Sequence, residues 1–323
     1  MAEPRRASPV LRLVLRRLGV ATLTLLLVSA VVFTITSLLP GDAAEEALGQ
    51  GATAETVAAL RTQLGLDDPA PLRYVHWLTG MLRGDPGVSL SSNLPVAQLI
   101  GARLPNSLVL AATAAAVSVP IALSIGILAA MRRGSRLDRL LNLLTLSLVA
   151  VPEFLVATLA VLLFAVKLRW LSALSALPKE FSPLEFVRAY AMPVLSLGFV
   201  VVAQMARMTR AAVIAQLEQP YAEMARLKGV GPARLVLRHA LPNAAGPIAN
   251  AVALSLSYLL GGAIIVETIF NYPGLASLMV DSVANRDMPV LQTCAMIFSG
   301  AYLTLVLLAD VIAIAANPRL RHP

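Results

Sequence analysis

A chain of 323 residues that is 58% apolar and only 14% charged has too few polar groups to cover the surface of a soluble fold. Its charges fall in short blocks, separated by uncharged runs that reach the roughly 20 apolar residues a membrane-crossing helix requires. One cysteine, Cys294, and three histidines exclude an internal disulfide framework and offer no metal-ligand spacing, so Cys294 reads as lipid-buried or core packing.

Six runs qualify as spans: Leu18–Leu39, Leu108–Met131, Leu140–Val166, Tyr190–Ala206, Ala240–Val266 and Met288–Ala309. Only the third carries a charge, Glu153, and the fourth is short enough to be expected to continue past Arg207. Residues 1–17 precede the first span. Their basic start resembles a signal peptide, but the following uncharged run of 22 residues exceeds a signal core, and no small-x-small site precedes Pro40–Gly41. The run therefore reads as a retained span. The external stretch 40–103 contains Pro69, Pro71 and Pro86, and its segment Thr53–Leu64 has helical apolar spacing, so a helical cap is expected there. Residues 104–316 then form a five-helix core with a long basic loop at 207–243, and 317–323 form the tail.

The net charge of +8 could serve nucleic acid, an acidic membrane surface or the inner loops of a membrane protein, and its placement decides among them. Alternate loops and both termini hold 17 of the Lys and Arg residues, against 9 on the other side, where most acids also lie. Positive charge is retained on the cytoplasmic side, so both termini and the loop 207–243 are expected to be cytoplasmic. Ionisable groups in or beside spans are functional candidates because charge in hydrocarbon is expensive. Glu153 follows Pro152, whose kink could turn it toward a water-filled path; burial against an Arg or a polar group is the plainer reading. Glu153 and Glu267 are candidates for lining or gating a pathway, while Glu267 and Asp310 also suit interfacial anchors. Ala111–Ala116 and Gly261–Gly262 suit close helix packing.

The loop beginning Gln219-Pro220-Tyr221 has the pattern of two short helices around a glycine turn. Pro220 fits a first helical turn, where its missing N–H is harmless. Glu223 lies near the positive end of that helix, and Arg226 and Lys228 lie near its negative end. Gly229 falls where a left-handed closing residue is wanted, Pro232 starts the second helix, and Pro242 is expected to end or kink it. A helix-turn-helix DNA reader would need a third helix for which two flanking spans leave no room. An amphipathic hairpin lying on lipid is a further structural reading.

Glu223-Met-Ala225-x-x-x-Gly229-x9-His239-Ala-Leu241-Pro242 resembles the EAA loop of ABC importer permeases, with Met224 in place of an alanine and His239 in place of an isoleucine. Leu39-Pro40-Gly41-Asp42, Leu64-Gly-Leu-Asp67, Gly84-Asp85, Glu267-Thr-Ile-Phe270-x-x-Pro273-Gly274, Arg286-Asp287-x-Pro289 and Asn317-Pro318-Arg319 are similar to the oligopeptide/dipeptide/nickel permeases. Ala276 stands where glycine is usual there, and Asn317 where aspartate is. The resemblance implies an all-α integral membrane protein with the type I ABC importer permease fold, in a bacterial inner membrane. It further implies a transport subunit, not an enzyme, that forms half of a pathway for peptides or related solutes. A second permease, two ATP-binding cassette subunits and an external solute-binding protein would be its partners. The residues implied to couple to the ATPase are Tyr221, Glu223, Ala225, Arg226, Gly229, Leu241 and Pro242. No cofactor is implied for this chain: none of its three lysines stands in a Gly-x-x-x-x-Gly-Lys phosphate loop. The alternative is a secondary transporter with no ATPase partner, which would be expected to show interrupted helices around a mid-membrane ion site. A membrane enzyme is disfavoured, since no Gly-x-Ser-x-Gly, His-Glu-x-x-His or Cys-x-x-Cys occurs.

Overall fold

The computed structural model of the protein describes residues 9–38, 45, 48, 52–63, 65–175 and 182–316. The expected motifs Leu39–Asp42 and Asn317–Arg319, the tail 317–323 and the first residues of the N-terminus lie outside the described residues, as does Leu64. The described secondary structure is helical: α1 (Pro9–Ser37), α2 (Ala54–Gln63), α3 (Ala70–Leu82), α4 (Val96–Met131), α5 (Arg136–Val149), α6 (Glu153–Ala160), α7 (Pro183–Leu217), α8 (Pro220–Leu227), α9 (Pro232–Arg234), α10 (Leu241–Ile269), α11 (Leu275–Ala284) and α12 (Met288–Ala316). Among the described residues, five helical stretches are long and apolar enough to cross a bilayer, and six if α5 and α6, with the π-helical continuation Val161–Lys167, count as one broken span.

That broken span corrects the expected continuous third span. The two helices meet at 94° at a break of a few residues. Pro152 lacks an N–H and drives the preceding Val151 out of the α region, so the helix stops and restarts instead of bending. The fourth span runs well beyond Tyr190–Ala206 and continues past Arg207 as expected: Pro183 opens the helix, and the helix runs on through Pro193 to Leu217. Pro242 does not end its helix either. The stretch Leu235–Ala240 widens into a π-turn in which the Leu241 N–H reaches the Val236 carbonyl five residues back, and α10 follows directly. The wider turn relieves the clash that a proline ring makes with the carbonyl four residues before it.

The chain divides into two compact units: residues 22–109 with 271–301, and residues 1–21 and 110–270 with 302–323. The division groups 271–301 with the external stretch, where a cap confined to 40–103 was expected. In this first unit α3 rests on α1 through Phe33, Tyr74 and Trp77, whose ring centroids lie 5.4 to 6.0 Å apart, and the Tyr74 and Ser29 hydroxyls are 2.8 Å apart. Val96, Ile100, Leu275, Val290 and Cys294 form its core, so Cys294 is core packing. The motif residues here set turns. Buried Asp287 accepts hydrogen bonds from the Ser89 hydroxyl, the Ser91 hydroxyl at 2.8 Å and the Leu90 N–H at 3.1 Å. Tyr272 donates to the Asn106 carbonyl at 2.7 Å, and Asn106 donates to the Pro273 carbonyl at 2.7 Å.

In the second unit α7 is central, with side chains buried along its length from Ala189 to Leu217. Small residues let backbones approach. A Cβ at Gly126 of α4 would lie 2.6 Å from the Ala206 carbonyl oxygen and 2.7 Å from Thr209 Cβ on α7. The expected packing role of Gly261–Gly262 falls on Gly262 alone, since nothing lies within 4 Å of a Cβ at Gly261. Gly126→Val should therefore lower stability by about 1–3 kcal/mol through overpacking, measured as a lower midpoint of thermal unfolding in detergent, while Gly261→Ala should leave the midpoint unchanged or raise it.

Candidate coupling hairpin and its anchorage

Helix α8 opens at Pro220, as expected for a proline in the first turn, and closes at Lys228. Gly229 has φ +81°, and its N–H bonds to the Arg226 carbonyl at 2.9 Å while the Val230 N–H reaches the Ala225 carbonyl at 3.1 Å. That pair of bonds is the Schellman closure, in which the last carbonyls of a helix are satisfied by a residue in the left-handed region. No atom lies within 4 Å of a Cβ at Gly229. Its need is for backbone conformation, a strain of roughly 1–2 kcal/mol for other residues.

The two faces of α8 differ. Ala222 and Ala225 are buried in a cluster with Ala130, Val213, Leu217, Leu235 and Val236, so Ala225 holds the hairpin to its own core and is not presented outward. Tyr221, Met224 and Leu227, at successive intervals of three, are exposed, Leu227 at 76%. Glu223 and Arg226 are exposed beside them, Leu241 is partly buried, and Pro242 is exposed. Tyr221 donates to Gln216 Oε1 at 3.0 Å, and burial pushes its hydroxyl pKa up, opposed by a bond with Asn243.

The anchorage of this hairpin went unseen in the sequence. Asp138, 3% exposed on α5, accepts both a 2.7 Å bond from Arg210 Nε and a 2.8 Å bond from Arg210 Nη2 on α7. It also accepts from the Gly134 N–H and from Asn142 Nδ2, each at 2.9 Å. Ser135 caps α5, accepting from the Asp138 N–H at 3.2 Å. One turn away, Arg133 pairs with Glu218 at 2.6 Å, two residues before Pro220. The turn 132–135 is thus bound twice to the end of α7 that leads into α8. Asp138 and Arg210 stand 72 positions apart, so no local spacing signals them.

Among the other candidates, Glu153 stands in the first turn of α6, and its carboxylate lies against Gly262 of α10 so closely that a Cβ there would overlap it. Among the described residues Glu153 pairs with no cation, so the partner Arg considered above is not found. Glu267 is fully buried in α10. Asp310 of α12 pairs with Arg17 of α1 at 3.1 Å, an anchor of the expected kind.

The sequence from 122 to 322 matches the family described as binding-protein-dependent transport system inner membrane component, and residues 10–111 match that family's N-terminal membrane component. The chain belongs to this family. It is 34% identical over 309 residues to the Probable peptide ABC transporter permease protein y4tP of Sinorhizobium fredii, covering 96% of this chain and 99% of that protein. It is 39% identical over 299 residues to the glutathione transport system permease protein GsiC of Pectobacterium atrosepticum, covering 93% and 95%, and 38% identical over 312 residues to GsiC of Salmonella typhimurium, covering 97% and 99%. The chain is accordingly a multi-pass inner-membrane permease subunit with the type I ABC permease fold, working with ATPase and solute-binding partners; its relatives are transport subunits, and ATP hydrolysis belongs to separate chains. This membership overturns the secondary-transporter alternative.

Removing one partner of a buried ion pair leaves the other charge unpaired, which costs about 3–5 kcal/mol. Asp138→Ala should therefore lower the unfolding midpoint in detergent strongly, and adding Arg210→Met should recover a large part of the loss. A loss in the double variant equal to the sum of the losses in Asp138→Ala and Arg210→Met alone would mean that the two residues act independently.

Proposed function

We propose that this permease forms one half of a translocation pathway with a second, similar permease, and that α8 is the element on which an ATPase subunit docks. The outward row Tyr221, Met224 and Leu227 carries this reading: apolar side chains exposed on a hairpin-mounted helix mark a protein contact. In this reading Glu223 and Arg226 form the polar rim, while Ala225 and Leu241 act from behind by fixing the hairpin. Gly229 closes α8, and Pro242, beside the π-turn, passes its displacement to α10. The excess of Lys and Arg on the α8 side supports a cytoplasmic position for that side and both termini. Two ATPases would bind below the permease pair and a solute-binding protein above it. ATP is held by the ATPases, and this chain carries no cofactor of its own.

The names of the relatives, which refer to peptide and glutathione transport, support a small peptide as cargo. Glu153, a half-buried carboxylate at the break of a span beside Gly262, and Glu267 are the residues assigned to the pathway or its gate.

Leu227→Glu leaves the buried face of α8 untouched and places a charge in the proposed contact. Recovery of the ATPase with the permease from detergent-solubilised membranes should fall by at least tenfold, with uptake of labelled peptide lost and permease abundance unchanged. Gly229→Val should lose coupling as well, with a lowered unfolding midpoint that Leu227→Glu does not share. Full ATPase recovery with Leu227→Glu would remove α8 as the docking element.

A further inference from the structure

The turn that braces the hairpin carries a second exposed surface. On α5 the residues Asp138, Asn142 and Thr145 recur at intervals of four and three and turn inward, Asp138 and Thr145 being buried. The opposite face holds Leu140, Leu143 and Leu146, exposed at 50%, 62% and 56%. At 100° per residue, Arg136 and Arg139 fall on that same outward face, one turn before the leucines. The neighbouring helix repeats the arrangement. Val117, Ile121 and Leu128 form an exposed stripe on α4, and Arg132 follows the helix end four positions after Leu128.

Two exposed apolar stripes thus end in arginines at one turn. Arg132, Arg136 and Arg139 are exposed. Among the described residues none of them pairs with a carboxylate, whereas the fourth arginine of the segment, Arg133, is taken by Glu218. The nearest acid, Asp138, is committed to Arg210, Gly134 and Asn142. Like charges at intervals of three on a helix repel, and nothing described within the chain neutralises them. At the end of a hydrocarbon-facing stripe, an arginine stands at headgroup depth, where its planar fork suits a phosphate.

We propose that Arg132, Arg136 and Arg139 form a binding site for the phosphate headgroup of an anionic phospholipid of the inner leaflet. The proposal rests on the reading above that the arginine-rich side is cytoplasmic. The bound headgroup steadies the turn 132–135, and through Arg133–Glu218 and Asp138–Arg210 it steadies the end of α7 that carries α8. Coupling to the ATPase therefore depends on anionic lipid.

The test uses the intact transporter complex purified with this permease. Native mass spectrometry after exposure to an equal mixture of phosphatidylglycerol and phosphatidylethanolamine reads which lipid is retained. Uptake in vesicles with and without phosphatidylglycerol reads the consequence. The triple variant Arg132→Gln, Arg136→Gln, Arg139→Gln should retain several-fold less phosphatidylglycerol, and its uptake should lose the stimulation by that lipid. Lys167→Gln, Arg169→Gln, Arg188→Gln removes the same charge from exposed positions elsewhere in the unit and should retain the lipid as the native chain does. Equal retention by the native chain and the arginine variant would overturn the site, as would an equal loss in the two triple variants, which would mean attraction by net charge alone. Loss of the ATPase from the arginine variant in both lipid compositions would assign these residues to protein docking and overturn the site as well. Lipid retention is read on the permease itself, so a failed uptake assay with the native chain counts against the transport reading and not against the lipid site.

Discussion

Asp138 and Arg210 meet in a low-dielectric interior with two bonds between them, and Gly134 and Asn142 supply the remaining donors to the carboxylate. Such a pair is expensive to break and indifferent to small changes in sequence nearby, which suits a joint between helices that must move together. It fixes the turn 132–135 to α7, and the short surface pair Arg133–Glu218 repeats the fastening beside α8. The alanines of α8, the end of α4 and the π-turn before α10 then close a small apolar core behind the hairpin. The buried face of α8 is thereby packed against residues of α7, α4 and α10.

The membrane sets the other constraint. In hydrocarbon each backbone group must be satisfied within the chain, so breaks are confined to places where protein surrounds them. The break at Pro152 places Glu153 against Gly262, and the π-turn at Leu235–Ala240 keeps the backbone bonded through Pro242. The buried acid Asp287 in the other unit serves a local purpose by comparison, holding the turn at Ser89–Ser91.

Five of the six spans and the α8 hairpin were legible because each rests on local signals: uncharged length for the spans, and the order Pro220, Gly229, Pro232 for the hairpin. Glycine at 229 was readable because a helix end demands a left-handed residue at a fixed offset. Local signals fail where two distant segments decide the outcome. Pro152 and Pro242 look alike in sequence, yet one breaks its span and the other is absorbed by a π-turn. The Asp138–Arg210 pair depends on α5 and α7 lying side by side, which no spacing encodes. Ala225 had seemed suited to face a partner, but helical phase relative to a core that only tertiary packing defines turns it inward.

The central claim is that the outward row of α8 touches the ATPase, and proximity tests it most directly. Cys294 is fully buried and out of reach of a thiol reagent, so a second cysteine introduced as Leu227→Cys can carry a short thiol-reactive cross-linker in native membranes. The account predicts a cross-linked product containing the permease and the ATPase subunit, and its loss when Asp138→Ala releases the anchorage. An ATPase that co-purifies with the permease while no such product forms at residue 227 would contradict it.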